Sequence, residues 1–219
     1  MSCATVVVFA RRPRPGRVKT RLARVIGGVR AASHYRMTLQ RMLALVDALP
    51  GVRRVLLCTQ PVECSWFRAR LSGHHRWRVG AQHQGDLGQR MRRALDRHVA
   101  PGRPALLVGS DVLDASLDDL QAAVTRLRAG TEVVLGPAAD GGYWLIGIRE
   151  KSGNLFRDIP WSTDQVLPLT LERAAAERRT VHLLQARHDL DRAADLLRRA
   201  PGFREKLRRS RRGDSLRGA

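Results

Sequence analysis

The chain alternates two hydrophobic rhythms. Short apolar runs rich in branched residues read as buried strands: TVVVFA (5–10), RRVLLCT (53–59), ALLVGSD (105–111), TEVVLGP (131–137), YWLIGI (143–148) and TVHLL (180–184). RWRVGAQ (76–82) is a weaker strand candidate. Between these runs the apolar period lengthens to that of a helix. Tyr35, Leu39, Met42, Leu43, Val46 and Leu49 fall on one stripe between Gly28 and Leu49, and Pro50-Gly51 ends it. A shorter helix is expected over 62–71. Leu87, Met91, Ala94, Leu95 and His98 share a face after Gly85, and Leu117, Leu120, Val124 and Leu127 mark the next helix. Ser162-x-x-Gln165 reads as a capping box opening a further helix, which Pro168 kinks or restarts. Residues 191–200 read as the last helix.

Strands alternating with helices predict an α/β domain with a mostly parallel sheet and helices on both faces. One such domain is expected over 1–202, followed by a basic tail over 203–219. In an open sheet of this kind, ligands bind beyond the carboxyl ends of the strands. Three polar stretches then share one rim: the basic loop after the first strand, Gly109-Ser110-Asp111, and Asp140-Gly141-Gly142 before YWLIGI.

The basic loop, RRPRPGRVKTRLARVIGG (11–28), has the composition of a phosphate loop without the spacing of a Walker loop. Valine precedes Lys19, the upstream glycine is absent, and Pro13 and Pro15 remove two amide donors. It still offers Gly16 for close approach and Arg11, Lys19 and Arg21 as charges, in a strand-to-helix loop that suits an anion. Asp111, at a strand's carboxyl end, can hold a magnesium ion, which takes one or two carboxylates together with phosphate oxygens and water. Asp114 is either a helix cap or part of the site. Asp86 either caps the helix after Gly85 or lines the site. Asp140, Gly141 and Gly142 are either a tight turn or a second rim carboxylate with backbone against a ligand. Asp191 reads as a helix cap and Asp189 as a candidate metal ligand.

The formal net charge of +20 comes almost entirely from arginine, which reads phosphates and carboxylates through its planar fork. That charge attracts polyanions in general. Aromatics are only 5 % and do not interleave with the basic residues, so specific nucleic-acid recognition is not expected. Three cysteines without CxxC spacing argue against a disulfide framework or a zinc site, and Cys3 and Cys58 read as buried filler. His74-His75 and His182 lack the partner spacing of a zinc site. No apolar run approaches the roughly 20 residues of a membrane span, and no signal peptide is visible, so a cytoplasmic location is expected.

Six motifs in order, FARRPRPGRVKTRLA, QGDLGQRM, VGSDVLDAS, GPAADGGYWLIGI, PWSTDQVL and HDLDRAADL, resemble those of the bacterial DUF2064 group. Its members are often labelled glycosyltransferase-like or selenodomain-associated transferases and look related to the nucleotide-diphospho-sugar transferase superfamily. The resemblance spans about Val6 to Leu196. It implies a GT-A-like, Rossmann-like three-layer α/β/α sandwich and a magnesium- or manganese-dependent transferase acting on a nucleotide or nucleotide sugar and a small acceptor. Nucleotidyl transfer from a triphosphate is slightly favoured, because a basic first loop suits a triphosphate tail. Glycosyl transfer, a degenerate transferase with a regulatory role and a non-catalytic basic nucleic-acid-binding protein are the alternatives. By this resemblance Ala10, Arg11, Gly16, Lys19, Thr20, Arg21, Gly85 and Asp86 would bind the nucleotide, with Lys19, Arg21 and Asp111 catalytic. Asp111, with Asp189 or Asp191, would hold the metal, and Asp140, Gly141, Gly142, Trp161 and Ser162 would face the acceptor. One departure stands out. The family's usual Cys-Pro after the aspartate is replaced by Val112-Leu113, which changes the stiffness beside the metal site.

Overall fold

The computed structural model describes residues 3–73 and 77–187. Seven strands form one sheet: β1 (Ala4–Ala10), β2 (Val52–Cys58), β3 (Trp77–Ala81), β4 (Ala105–Gly109), β5 (Val133–Pro137), β6 (Tyr143–Ile148) and β7 (Val181–Leu183). Their spatial order is β3-β2-β1-β4-β6-β5-β7. All neighbouring pairs run parallel except those of β6, which is antiparallel to both β4 and β5. The expected mostly parallel sheet is therefore present, and β6 makes it mixed.

Among the described residues six α-helices cover it: α1 (Thr20–Ile26), α2 (Gly28–Ala48), α3 (Cys64–Leu71), α4 (Leu87–His98), α5 (Leu117–Arg128) and α6 (Val166–Ala176). Strand side chains alternate between faces and so divide the core. Val6 and Val8 of β1 join Leu106 and Val108 of β4 beneath α2 and α5. Val7 and Leu107 face the other way, with Met91 and Leu95 of α4, Ile146 of β6 and Ala174 of α6. Tyr35 and Leu39 of α2 pack with Leu56 of β2 and Phe67 of α3. Among the described residues no helix is long and apolar enough to cross a membrane.

Four local expectations are corrected. The second half of the basic loop is the helix α1, because Leu22 and Ile26 bury one face against Ala31 of α2. The Ser162–Gln165 capping box does not form. Ser162 sits at φ 69°, α6 starts after Gln165, and Gln165 N–H is received by the Thr163 hydroxyl instead. Pro168 does not kink α6, since it lies in the first turn, where a backbone N–H has no intrahelical partner to lose. Cys3 is half-buried rather than core, whereas Cys58 and Cys64 are buried, and all three are free thiols. The tail 203–219, the helix expected over 191–200, His74 and His75, and the candidate ligands Asp189 and Asp191 lie outside the described residues.

Two ion pairs, each with one buried partner, fix the frame. Arg54 on β2 is 6 % exposed and donates to the carbonyls of Val46, Asp47, Leu49 and Val52 while its Nε lies 3.4 Å from Asp47 Oδ1. Its fork thus closes the carboxyl end of α2, whose last carbonyls have no intrahelical donors. Arg187, bridged to the end of β5 through Ala138 and Ala139, makes a two-pronged pair with Asp119 at 3.0 and 2.8 Å. Asp119 also receives Ser116 N–H and completes the capping box of α5, so Ser116 rather than Asp114 is the cap.

Arg54→Met would strand several helix carbonyls and is expected to lower stability by about 2–4 kcal/mol in urea unfolding, with Arg54→Lys recovering little because lysine lacks the planar fork. Burial alone would raise the Asp119 pKa, but hydrogen bonds from Arg187 and Ser116 outweigh it and hold the carboxyl below its ordinary value. A depressed folded pKa contributes stability above the unfolded value of about 3.9 and loses it as pH falls through the folded value. Asp119→Asn should therefore cost about 1–3 kcal/mol at pH 7, and the gap to the parent protein should close in acid, as followed by unfolding at stepped pH.

Candidate functional site

The strand order reverses at the centre of the sheet. From β1 the chain moves outward through β2 and β3, then returns to place β4 on the other side of β1. The loops leaving β1 and β4 therefore diverge and open a crevice at their carboxyl ends. A cleft of about 490 Å³ lies there. Because β6 is antiparallel, its first residues reach the same rim, and Tyr143 and Trp144 line the cleft with the ends of β1 and β4.

The floor is set by one buried phenol. Tyr35, 5 % exposed in the middle of α2, accepts the Arg11 backbone N–H at 2.9 Å and shares a 2.8 Å hydrogen bond with Ser110 Oγ. Burial raises its pKa against the lowering effect of those bonds, so the phenol stays protonated. Above the floor, Lys19 Nζ meets Asp111 Oδ2 at 2.9 Å. Lys19 holds a left-handed backbone, φ 47° and ψ 47°, as the residue before α1. That conformation is unfavourable for a side chain of this kind. Its side chain is 4 % exposed and that of Asp111 37 %, so the carboxylate faces the opening and the ammonium is enclosed.

The other wall belongs to β3 and α4. Gln82 follows β3, and its Nε2 donates to Leu57 O at 3.0 Å. Its Oε1 is thereby turned toward Arg90 of α4, whose Nη1 donates to it at 3.2 Å. Arg90 Nε also donates to Asp86 O at 3.3 Å. Burial, and then the positive charge of Arg11, lower the Arg90 pKa.

Of the residues expected at the site, Ala10, Arg11, Lys19, Thr20, Arg21, Asp111 and Ser162 line the cleft. Others have local structural work. Gly16 takes φ 74° in the turn closed by Arg17 N–H on Arg14 O, directly after Pro15, and sits exposed away from the cleft wall. Asp86 caps α4 by accepting Gln89 N–H, with Gly85 beside it at φ 115°. Asp140 accepts Gly142 N–H in the β5–β6 turn, and Gly141 lies so close to Asp164 that a Cβ would fall 2.4 Å from its Cα. Trp161 lies across Gly88 of α4 and beside Phe156, 6.2 Å between rings. Tyr35, Gln82 and Arg90 were not among the expected residues. Gln82 follows a strand on the productive rim and was within reach of the carboxyl-end rule, whereas Tyr35 and Arg90 look like ordinary helix positions.

Asp111 suits a hard cation held largely by phosphate oxygens, since it is one rim carboxylate with a partly exposed face. Among the described residues no group of three or more His, Cys, Asp or Glu side chains stands ready to hold a metal without such a ligand. Val112 and Leu113, in place of the family's Cys-Pro, are apolar anchors. Val112 is buried in the core under α5 and Leu113 packs on the α1 cluster of Leu22 and Ile26.

The profile of DUF2064, a family described as uncharacterized proteins conserved in bacteria, matches residues 42–163. A comparison with curated proteins gave no match. Among solved structures, a candidate nucleotide-diphospho-sugar transferase from Desulfovibrio desulfuricans is 33 % identical over 88 % of this chain and 84 % of its own, with a TM-score of 0.80. A CMP-2-keto-3-deoxy-manno-octonic acid synthetase complexed with CTP is 13 % identical, covering 94 % of this chain and all of its own, TM-score 0.56. The Mycobacterium tuberculosis protein Rv0371c in complex with manganese is 20 % identical, covering 90 % and 97 %, TM-score 0.51. The last two share the fold, the GT-A-like α/β/α sandwich. With a profile over more than half its length and a relative one-third identical over most of it, the chain belongs to the DUF2064 family, within the nucleotide-diphospho-sugar transferase fold group.

Proposed function

We propose that this chain is a divalent-metal-dependent transferase that takes a nucleoside triphosphate and passes its nucleotidyl group to a small acceptor. The observation that carries the reading is the Lys19–Asp111 pair, set at the mouth of a cleft at the sheet's switch point. It puts a cation and a metal-competent carboxylate side by side. A phosphate oxygen arriving beside Lys19 takes up its charge and frees the Asp111 oxygens for Mg2+ or Mn2+. When bound, that ion would neutralise phosphate charge. An acceptor oxygen attacks the α-phosphorus, the bond to the bridging oxygen breaks, and pyrophosphate leaves with the electron pair. Lys19 and Arg21 face the negative charge that grows on it, and Thr20 lies between them at the start of α1. Catalysis of this kind is positioning and charge stabilisation. The rigid Tyr35–Ser110–Arg11 floor supports both loops that carry these groups. The CTP complex and the manganese complex among the structural relatives support the choice of triphosphate and metal.

Glycosyl transfer from a nucleotide sugar is the second reading, favoured by what the Desulfovibrio relative is described to be. One screen separates them. Melting temperature is followed with each of the four NTPs and a panel of nucleotide sugars, with manganese or magnesium. A ligand at about a hundred times its Kd stabilises by about 2.7 kcal/mol. Shifts with NTPs alone are expected, and shifts with sugars alone would transfer the assignment to glycosyl transfer. No shift with any nucleotide would remove both readings and leave the basic surface as a polyanion binder, recognised by a steep salt slope. For the active protein, Asp111→Asn and Lys19→Gln are each expected to slow pyrophosphate release about 100-fold or more.

A further inference from the structure

Arg90 is held in the cleft without being neutralised. The two groups that fix it, the Gln82 amide oxygen and the Asp86 backbone carbonyl, carry no formal charge. Gln82 is itself locked, because its amide nitrogen is spent on Leu57 O. Arg90 Nη2 has no acceptor among the described residues. Arg11 lines the same cleft, and its guanidinium likewise has no hydrogen bond or ion pair there, while its backbone N–H is fixed on Tyr35. Two arginines whose charges oppose each other thus line one cleft. Asp86, a carboxylate that acts on Arg90, is committed to capping Gln89 N–H and forms no ion pair with it among the described residues. Asp111 stands on the opposite wall and is already paired with Lys19. A braced fork with free donors beside a second cation is a receptor for an oxyanion.

We infer that Arg90, braced by Gln82 and joined by Arg11, forms a second anion subsite in this cleft, which takes a phosphate or carboxylate group of a substrate on the β3–α4 side, away from Lys19 and Asp111. The inference takes the substrate's nature from the transferase reading, but the subsite itself can be tested with no nucleotide present. Thr59 and Met91 complete the wall, a small polar and an apolar group that add no competing carboxylate.

Inorganic phosphate is titrated calorimetrically against the full chain at constant ionic strength, with acetate as the carboxylate arm. Phosphate or acetate is expected to bind. Arg90→Gln should weaken the binding about tenfold or more, and Arg11→Gln should also weaken it. Gln82→Leu should weaken it although no charge changes, because the fork loses its brace. Arg126→Gln, in the last turn of α5 and outside the cleft, should retain the affinity. Circular-dichroism melts check that each variant is folded, and if Arg90→Gln is not, Gln82→Leu and Arg90→Lys decide. The subsite is overturned if neither anion binds, if Arg90→Gln and Gln82→Leu bind as the parent does, or if Arg126→Gln weakens binding as much as Arg90→Gln. Repeating the titration with CTP or GTP and manganese identifies the source of the group. Competition assigns it to the nucleotide's own phosphates and additive binding to the acceptor, and both uphold the subsite. A protein that binds phosphate through Arg90 yet shows no response to any nucleotide would keep the subsite and lose the transferase reading.

Discussion

The hydroxyl of Tyr35 ties together two loops that leave neighbouring strands in different directions. It lies in the middle of the longest helix, yet its partners are the backbone just past β1 and the Ser110 side chain just past β4. Those two segments belong to loops that the strand order sends apart. A diverging pair of loops makes a crevice, but it does not by itself make a crevice of fixed shape. The phenol provides that fixity, and its burial, which disfavours ionisation, keeps it neutral and able both to accept and to donate. The proposed phosphate and metal groups hang from the two segments so fixed. Lys19 reaches back from the first loop, Asp111 follows Ser110 directly, and their 2.9 Å pair is the second tie across the same gap.

Charge in this protein has to be sorted by where it is spent. The formal +20 counts Arg54, Arg187 and Arg179 equally with Arg11 and Arg90. Yet Arg54 is consumed by the end of α2, Arg187 by Asp119, and Arg179 by Glu177. Each is committed to a backbone or carboxylate acceptor nearby. Arg12 and Arg70 lie over the Trp66 ring, 5.3 and 4.4 Å from its centroid, and hold the first loop's start near α3 by cation–π contact. Arg11 and Arg90 line the cleft and form no ion pair among the described residues. Composition alone suggested a diffuse attraction for polyanions, and the fold turns part of it into a directed one.

The sheet was legible in the sequence because its central strands are branched apolar runs, and all seven strands, the weaker edge candidate β3 included, lie within a residue or two of the expected stretches. The two residues that pair at the cleft were legible for a related reason. Lys19 and Asp111 stand in loops after strands, and the carboxyl-end rule converts position in sequence into position on a rim. What escaped was whatever depends on packing between distant segments. Tyr35 reads as one more apolar position on a helical stripe until the fold shows which end of which strand it meets. Arg90 reads as a solvated face until Gln82, eight residues earlier, is seen to hold it. Helix α1 was missed because its apolar face is only two residues, Leu22 and Ile26, too short for periodicity to register. Conversely Asp140, Gly141 and Trp161 looked chemical and are in place for a turn and for packing on α4.

The replacement of Cys-Pro by Val112-Leu113 shows why a missing family residue need not disarm a site. Proline stiffens a loop by fixing one dihedral, an effect that lives mostly in the unfolded chain. Here the segment after Asp111 is fixed from the folded side. Val112 inserts into the core beneath α5, Leu113 lies on the α1 cluster, and Ser116 starts α5 through a reciprocal capping box. The contact of Leu113 has a further consequence. It links the Asp111 loop to the same short helix whose first turn carries Thr20 and Arg21 and whose preceding residue is Lys19. The two halves of the proposed phosphate site are thus joined twice, once by the ion pair at the mouth and once by apolar packing behind it. A proline would fix the Asp111 segment alone, whereas a leucine at 113 fixes that segment relative to Lys19, and it is the relative position that a metal and a phosphate must share.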